Sequence, residues 1–205
     1  MESKSLELWF EFGSTYSHIA AQLIEAAAAQ RGVEVRWIPF LLGPIFRSQG
    51  WNDSPFNIYP AKGAYMWRDM ERECARHGIP FRRPSQFPRN GLTAARIVAA
   101  AAREAWVPAF VRGVYLANFT DDRDIASTAV LGELLEAAGC PAPAAALERA
   151  GAPEAKQRLR DHTDSAIARG IFGAPTFCVG DELFWGSDRM EQALALAAES
   201  ARDGA

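Results

Sequence analysis

The sequence predicts an α/β fold with β-strands near both ends of the chain and a long helical block between them. Three patterns support this prediction: a strand, a helix and a strand over residues 6–38, a middle section rich in alanine and leucine without a strand pattern, and a hairpin followed by a final helix. With 205 residues, 49% of them hydrophobic, the chain suits one domain, or one domain with a sizeable insertion.

The first strand, helix and strand are predicted from hydrophobic periodicity. Residues 6–12 (LELWFEF) form a short apolar run rich in aromatic side chains, which is typical of a buried strand. Apolar side chains then recur at helical spacing over residues 15–30, and a hydroxyl from Ser14 or Thr15 is available to cap that helix. Residues 33–38 alternate as a second strand. Since parallel sheets bind ligands outside the carboxyl ends of their strands, residue 14 is expected near a binding edge.

The middle of the chain is predicted to be helical, with two irregular segments. Residues 40–60 and 81–90 are rich in glycine, proline and polar side chains, so both are expected to be loops. A helix is predicted over residues 62–77. Residues 91–168 show only helical patterns with a few breaks, and their alanine content is typical of helices.

The end of the chain returns to strands. Two short β runs at residues 176–179 and 182–185 are separated by a Gly-Asp turn signal, and a helix follows. The complete order is that of a thioredoxin-like fold with an all-helical domain inserted after the second strand. We therefore expect a discontinuous thioredoxin-like domain at residues 1–41 and 170–205, and an inserted helical domain at residues 42–169.

Charge and composition argue against several classes of protein. The net charge is -3 and no basic block stands out, so no nucleic-acid partner is expected. No apolar run approaches the roughly 20 residues that cross a bilayer, and the N-terminus lacks the pattern of a secretory signal. The three cysteines are scattered and form no Cys-x-x-Cys pair, which disfavours a disulfide framework and fits a reducing cytoplasm. No metal site is expected.

Ser14 is the first candidate for chemistry. It lies where a strand ends and a helix begins, and the backbone N–H groups and dipole of a helix N-terminus favour a negative charge. Redox proteins of this fold hold a cysteine thiolate at this place. A serine cannot exchange disulfides, but its hydroxyl can donate a hydrogen bond to the thiolate of another molecule. The alternative is a plain N-cap serine, which is the commoner role.

Two segments near the C-terminus are further candidates. Ala174-Pro175 precedes a β run, and a cis bond there would leave the Ala174 backbone free to pair with a peptide as an added strand. The alternative is an ordinary loop proline. Ser187 and Asp188 can cap the last helix, and the carboxylate of Asp188 can also hold the amino group of a ligand.

These segments together resemble a known family. FEFGSTYS near the start and GIFGAPTFCVGDELFWGSDR near the end resemble the glutathione-dependent 2-hydroxychromene-2-carboxylate isomerases and the kappa-class glutathione transferases, within the DsbA-like thioredoxin group. The middle segments WNDSPFNIYPAKGAYMWRDMER and GIPFRRPSQFPRN are similar to the family's substrate-side loops. The resemblance extends from about residue 6 to 198. Several motifs in the correct order favour a catalytic Ser14 over a plain cap.

The resemblance implies a glutathione site with named residues. Ser14 matches the serine that hydrogen-bonds to the glutathione sulfur and activates it. Ala174 matches the residue before the cis proline, Pro175, and the backbone of that residue pairs with glutathione. Lys62 matches a lysine that meets a glutathione carboxylate or an acidic substrate. The segment expected to hold the γ-glutamyl end comprises Trp185, Gly186, Ser187 and Asp188. The looser matches on the substrate side are Asn57, Phe87 and Asn90.

The function that the resemblance implies is glutathione-dependent cis–trans isomerisation of unsaturated aromatic keto acids. Ser14 would stabilise a glutathione thiolate that adds to an electron-poor carbon, so that a double bond of the substrate can rotate before the thiolate leaves. Lys62 and Arg89 are candidates to hold the carboxylate of this small aromatic substrate. The resemblance also implies a homodimer.

Other functions remain open. A kappa-type glutathione transferase or peroxidase would use the same thiolate but release a conjugate. A non-enzymatic DsbA-like protein would bind glutathione without turnover, and the missing Cys-x-x-Cys pair disfavours a disulfide oxidoreductase. The sequence also departs from the family at Thr15, where proline is common, and at His18, where tyrosine is common. His18 lies one helical turn after Ser14, so it is either a site residue or a polar helix residue.

Overall fold

A computed structural model describes residues 4–101 and 103–199, and its centre is a four-stranded mixed sheet. The strands in chain order are β1 (Ser5–Phe10), β2 (Glu34–Pro39), β3 (Thr176–Val179) and β4 (Glu182–Trp185). They are arranged in the order β2-β1-β3-β4, with β1 parallel to β2 and antiparallel to β3, and with β3 and β4 forming a hairpin.

Helices connect and cover this sheet. They are α1 (Thr15–Ala29), α2 (Leu42–Ser48), α3 (Pro55–Ile58), α4 (Pro60–His77), α5 (Leu92–Ala100), α6 (Val107–Phe119), α7 (Thr128–Ala137), α8 (Pro143–Gly151), α9 (Pro153–Ala168) and α10 (Met190–Glu199). α1 crosses from β1 to β2, α2 to α9 lie between β2 and β3, and α10 follows the hairpin. The predicted fold class, thioredoxin-like with a helical insertion after the second strand, is confirmed.

The prediction of a loop over residues 40–60 is wrong in part, because α2 and α3 lie there. α3 is one turn long, and the Ser54 hydroxyl accepts the Phe56 N–H at 3.3 Å to begin it. α2 has no side-chain cap, and its Ile45 is buried in a cluster with Phe40. Helices this short are marginal in isolation, so they are stabilised by tertiary packing. Their sequences are too short to show the hydrophobic periodicity that would predict a helix.

One hydrophobic core connects the sheet to the inserted helices. Leu8 and Phe10 of β1 are fully buried in the same cluster as Phe110 and Val114 of α6. The expected domain boundaries at residues 41/42 and 169/170 fall between elements of secondary structure. Because the core continues across them, the division into two domains stays a proposal.

The structure also describes the state of the cysteines, the character of the helices and the arrangement of side chains that could bind a metal ion. Cys74, Cys140 and Cys178 are all free and buried. Within residues 4–101 and 103–199, no helix has the length and apolar character that a bilayer crossing requires. The same residues contain no group of three or more His, Cys, Asp or Glu side chains arranged to hold a metal ion.

Candidate functional site

The turn between β1 and α1 places Ser14 at a helix N-terminus. The Ser14 N–H donates to the Glu11 carbonyl oxygen at 2.9 Å, which closes the turn. Ser14 is the N-cap of α1, and its Oγ accepts the Ser17 N–H at 3.3 Å. The capping role is therefore confirmed. It leaves the hydroxyl proton available for a second hydrogen bond.

That second hydrogen bond joins Ser14 to the segment before β3. The Ser14 hydroxyl donates to the Ala174 carbonyl oxygen at 2.8 Å. The Ala174-Pro175 peptide bond is cis, as proposed from the sequence. The Ala174 N–H has no hydrogen-bond partner in the part of the chain that the structure describes, and the residue is half-buried. The structure thus brings together a serine hydroxyl, a helix N-terminus and an open backbone N–H.

A cavity of about 650 Å³ opens beside Ser14. Its size falls in the range of ligand pockets, which are mostly apolar with a few polar groups. The sequence-predicted residues that line it are Ser14, Lys62, Phe87, Arg89, Asn90, Ala174 and Trp185. Further apolar lining comes from Leu41, Phe46, Trp51, Phe56 and Phe172. The position of Phe56 depends on Gly63 of α4, where a Cβ atom would lie 2.1 Å from the Phe56 carbonyl oxygen.

The remaining predicted residues do not line this cavity. Pro175 is buried, and its carbonyl oxygen accepts the Gly186 N–H at 3.0 Å. Ser187 and Asp188 lie in a 3-10 turn (Ser187–Arg189) without a side-chain cap, and they line a separate cavity of about 400 Å³ together with residues of α1, α4 and α10. Asn57 is exposed, and its amide donates to the Asp53 carboxylate. The expected γ-glutamyl segment is therefore divided between two cavities.

Arg89 lines the Ser14 cavity, but its charge is already neutralised. Its Nη2 lies 2.5 Å from Asp122 Oδ1, and its Nη1 donates to Asn118 Oδ1 at 3.2 Å. Hydrogen bonds from the Ser85 N–H and from Arg89 lower the pKa of Asp122 to about 2. Arg89 thus braces the loop before α5, which contains a second cis bond at Phe87-Pro88. It is a poor candidate for binding a substrate carboxylate.

Lys62 and Arg47 are the cations better placed for an acidic ligand. Both side chains are exposed and line the cavity, and neither forms an ion pair among the described residues. The Lys62 ammonium lies 5.5 Å from the centroid of the Tyr59 ring. Arg47 was not predicted, because the segment that carries it was expected to be a loop.

Glu11 is a candidate that the sequence reasoning missed. Its side chain lines the cavity beside Ser14, and its Oε2 accepts the Gly13 N–H at 2.9 Å. Burial raises the pKa of Glu11 from 4.5 to about 7, and the Gly13 N–H opposes that rise. A signal was present, because Glu11 interrupts an aromatic run (WFEF) that otherwise enters the core.

His18 is fully buried and does not line the cavity. Its ring packs between Tyr115 and Phe119, with centroids 6.0 Å and 5.4 Å away. Burial lowers the pKa of His18 to about 4, so the ring is neutral at pH 7. The structure thus supports a core role for His18 and not a role at the Ser14 cavity.

The chain is similar to a family model and to several known proteins. A family model described as the DSBA-like thioredoxin domain matches residues 5–197. The 2-hydroxychromene-2-carboxylate isomerase of Sphingobium xenophagum is 28% identical over 191 residues, which cover 92% of this chain and 95% of the relative. Glutathione S-transferase kappa 1 of Caenorhabditis elegans is 27% identical, with 90% of this chain and 86% of the relative covered.

A solved structure agrees with this placement. The structure of a 2-hydroxychromene-2-carboxylate isomerase matches with a TM-score of 0.85 at 24% identity, covering 98% of this chain and 99% of that chain. The family resemblance expected from the sequence motifs is thereby confirmed. The match to the family model spans nearly all of the described residues, and the chain belongs to the DSBA-like thioredoxin domain family.

Proposed function

We propose that this chain is a glutathione-dependent isomerase of the 2-hydroxychromene-2-carboxylate isomerase type, acting on unsaturated aromatic keto acids. One observation carries the proposal: the Ser14 hydroxyl caps α1 and faces the Ala174 backbone at the edge of a largely apolar cavity. Relatives named as isomerases and as glutathione transferases support an enzyme that uses this edge.

The Ser14 hydroxyl and the Ala174 backbone, which together form this edge of the cavity, fit a tripeptide that carries a thiol. The unpartnered Ala174 N–H can pair with an extended peptide backbone, as in other cases of strand addition. When bound, glutathione supplies the thiolate that adds to the substrate and leaves again after a double bond has rotated. Gly186 is joined to Pro175 by a hydrogen bond, so the start of the Trp185–Asp188 segment lies next to Ala174, and Trp185 lines the same cavity as Ser14. We assign the γ-glutamyl end to this segment.

Ser14 would stabilise the glutathione thiolate by donating its hydroxyl proton to the sulfur instead of to the Ala174 carbonyl oxygen. Its hydroxyl has one proton, which the Ala174 carbonyl oxygen now accepts. Rotation toward a bound sulfur directs that proton to the thiolate while Oγ can still accept the Ser17 N–H. A hydrogen bond to a charged group contributes roughly 1.5–3 kcal/mol. At about 1.36 kcal/mol per unit, Ser14 would lower the thiol pKa by about one to two units.

The remaining walls suit an aromatic carboxylate. Trp51, Phe56 and Phe87 line the cavity, and aromatic rings can stack on planar ligands. Lys62 and Arg47 are the exposed cations that we assign to a substrate carboxylate. We place Asn90 on the substrate side as well. Asn57 would support that wall from outside, since its amide contacts the Phe87 carbonyl oxygen at 3.4 Å. The homodimer and the cytoplasmic location stay predictions.

The test is isomerisation of 2-hydroxychromene-2-carboxylate, followed by absorbance with and without glutathione. We expect turnover only with glutathione, and glutathione recovered unchanged at the end. Turnover that does not depend on glutathione would refute the proposal.

A kappa-type glutathione transferase is the second candidate, because relatives with that name match as closely as the isomerases do. Chromatography of the products separates the two functions. A stable adduct that consumes glutathione would identify a transferase. Binding without any product would identify a non-enzymatic glutathione-binding protein.

A further inference from the structure

Glu11 belongs to the same turn as Ser14 and lines the same cavity. Its Oε2 accepts the Gly13 N–H, and no other hydrogen bond to the side chain is present among the described residues. The other acid of the strand run, Glu7, is neutralised by Arg36 and Arg169. Within residues 4–101 and 103–199, Glu11 has no such counter-ion, which is unusual for a carboxyl group in a largely apolar site.

The charged groups around the cavity leave Glu11 unpaired. From neighbouring elements, the ionisable residues that face this cavity are Arg47, Asp53, Lys62 and Arg89. None of them contributes to the pKa of Glu11, which burial dominates. Tyr115 of α6 also contacts Glu11, but its hydroxyl donates to the backbone oxygen of Glu11 at 2.9 Å and not to the carboxyl group.

A thiolate at Ser14 would add a second negative charge beside this carboxyl group. Two like charges in an apolar site disfavour each other, so such a pair holds one proton between its members. Resting on the function proposed above, we propose that Glu11 accepts the S–H proton of glutathione when the thiolate forms at Ser14, and returns it when the thiol leaves. The S–H bond breaks with its electron pair kept on sulfur, an O–H bond forms on Glu11, and no electron changes hands.

The proton balance makes the proposal measurable. At pH 8, a carboxyl group with a pKa of about 7 is roughly 90% ionised. A free thiol with a pKa of about 8.5 is still about three-quarters protonated at that pH. If Glu11 takes up the thiol proton, thiolate formation releases almost no proton to the buffer. Without Glu11, a bound thiol whose pKa Ser14 has lowered by one to two units releases about 0.5 to 0.7 proton per glutathione.

The experiment is calorimetric titration with glutathione at pH 8 in two buffers of different ionisation enthalpy, with the thiolate followed by ultraviolet absorbance. The variant is Glu11→Gln, whose amide oxygen can still accept the Gly13 N–H. The matched control is Asp53→Asn, another acid of the same cavity. We expect proton release close to zero for the unaltered protein and for Asp53→Asn, and about 0.5 to 0.7 proton for Glu11→Gln.

A second measurement needs no variant. Infrared difference spectra of the unaltered protein at pH 8 should show a protonated carboxyl band on adding glutathione, and no such band with S-methylglutathione. Equal proton release by the unaltered protein and Glu11→Gln, or the absence of this band while thiolate forms, would overturn the role of Glu11 and leave the proposed function standing. Absence of any glutathione binding would overturn both.

Discussion

Replacing Ser14 by alanine removes one hydroxyl that makes two hydrogen bonds. It caps α1 by accepting the Ser17 N–H at 3.3 Å, and it donates to the Ala174 carbonyl oxygen at 2.8 Å. Loss of an N-cap costs about 1 kcal/mol, and loss of a typical hydrogen bond costs about 1 kcal/mol more. The free energy of unfolding should therefore fall by about 2 kcal/mol, which denaturant titration measures.

The functional effect of Ser14→Ala should be separable from that loss of stability. Removing a hydrogen bond to a thiolate should raise the pKa of the bound glutathione thiol by about one to two units. Ultraviolet titration of the protein–glutathione complex measures this pKa, and the isomerisation rate at pH 7 should fall by about 8- to 25-fold, as the thiolate fraction does when the thiol pKa returns to about 8.5.

Ser127 offers a matched control for this substitution. It is the N-cap of α7, accepts the Val130 N–H at 3.5 Å and does not line the cavity. Ser127→Ala should lose about 1 kcal/mol of stability and leave the thiol pKa unchanged. If Ser14→Ala also leaves that pKa unchanged, Ser14 is a structural cap and the reasoning about its hydroxyl fails.

Three further predictions concern charged residues. Because the pKa of Glu11 rises from 4.5 in the unfolded chain to about 7, the native state binds the extra proton, and stability falls as pH rises from 4.5 to 7. Glu11→Gln should remove this fall and raise the free energy of unfolding at pH 8 by up to about 3 kcal/mol; parallel pH curves for the two proteins would contradict it. Arg47→Met should raise the KM for an anionic substrate about tenfold with little change for glutathione, and an unchanged KM would remove Arg47 from the carboxylate site. Arg89→Met should lower the unfolding temperature in thermal melts, because it removes the hydrogen bonds that join Arg89 to Asp122 and Asn118, whereas an unchanged unfolding temperature would contradict the bracing role.

The central part of the site could be predicted from the sequence because it depends on local patterns. A strand followed by a helix places Ser14 at an N-terminus, and the motif around Pro175 places Ala174 beside the same sheet. The contact between Ser14 and Ala174 then follows from the order of strands in the fold.

The features that the sequence did not reveal depend on long-range contacts. Arg89 was expected to face a substrate, but Asp122, 33 residues further along the chain, neutralises its charge. α2 owes its position to packing around Ile45, so Arg47 could not be placed from periodicity. The raised pKa of Glu11 results from burial, which the sequence of a single strand does not reveal.

The most direct test of this account is a crystal structure of the protein soaked with glutathione. We expect the glutathione sulfur within hydrogen-bond distance of Ser14 Oγ and the peptide backbone paired with the Ala174 N–H. A sulfur bound away from Ser14, or a bound tripeptide whose backbone does not pair with the Ala174 N–H, would contradict the proposed site.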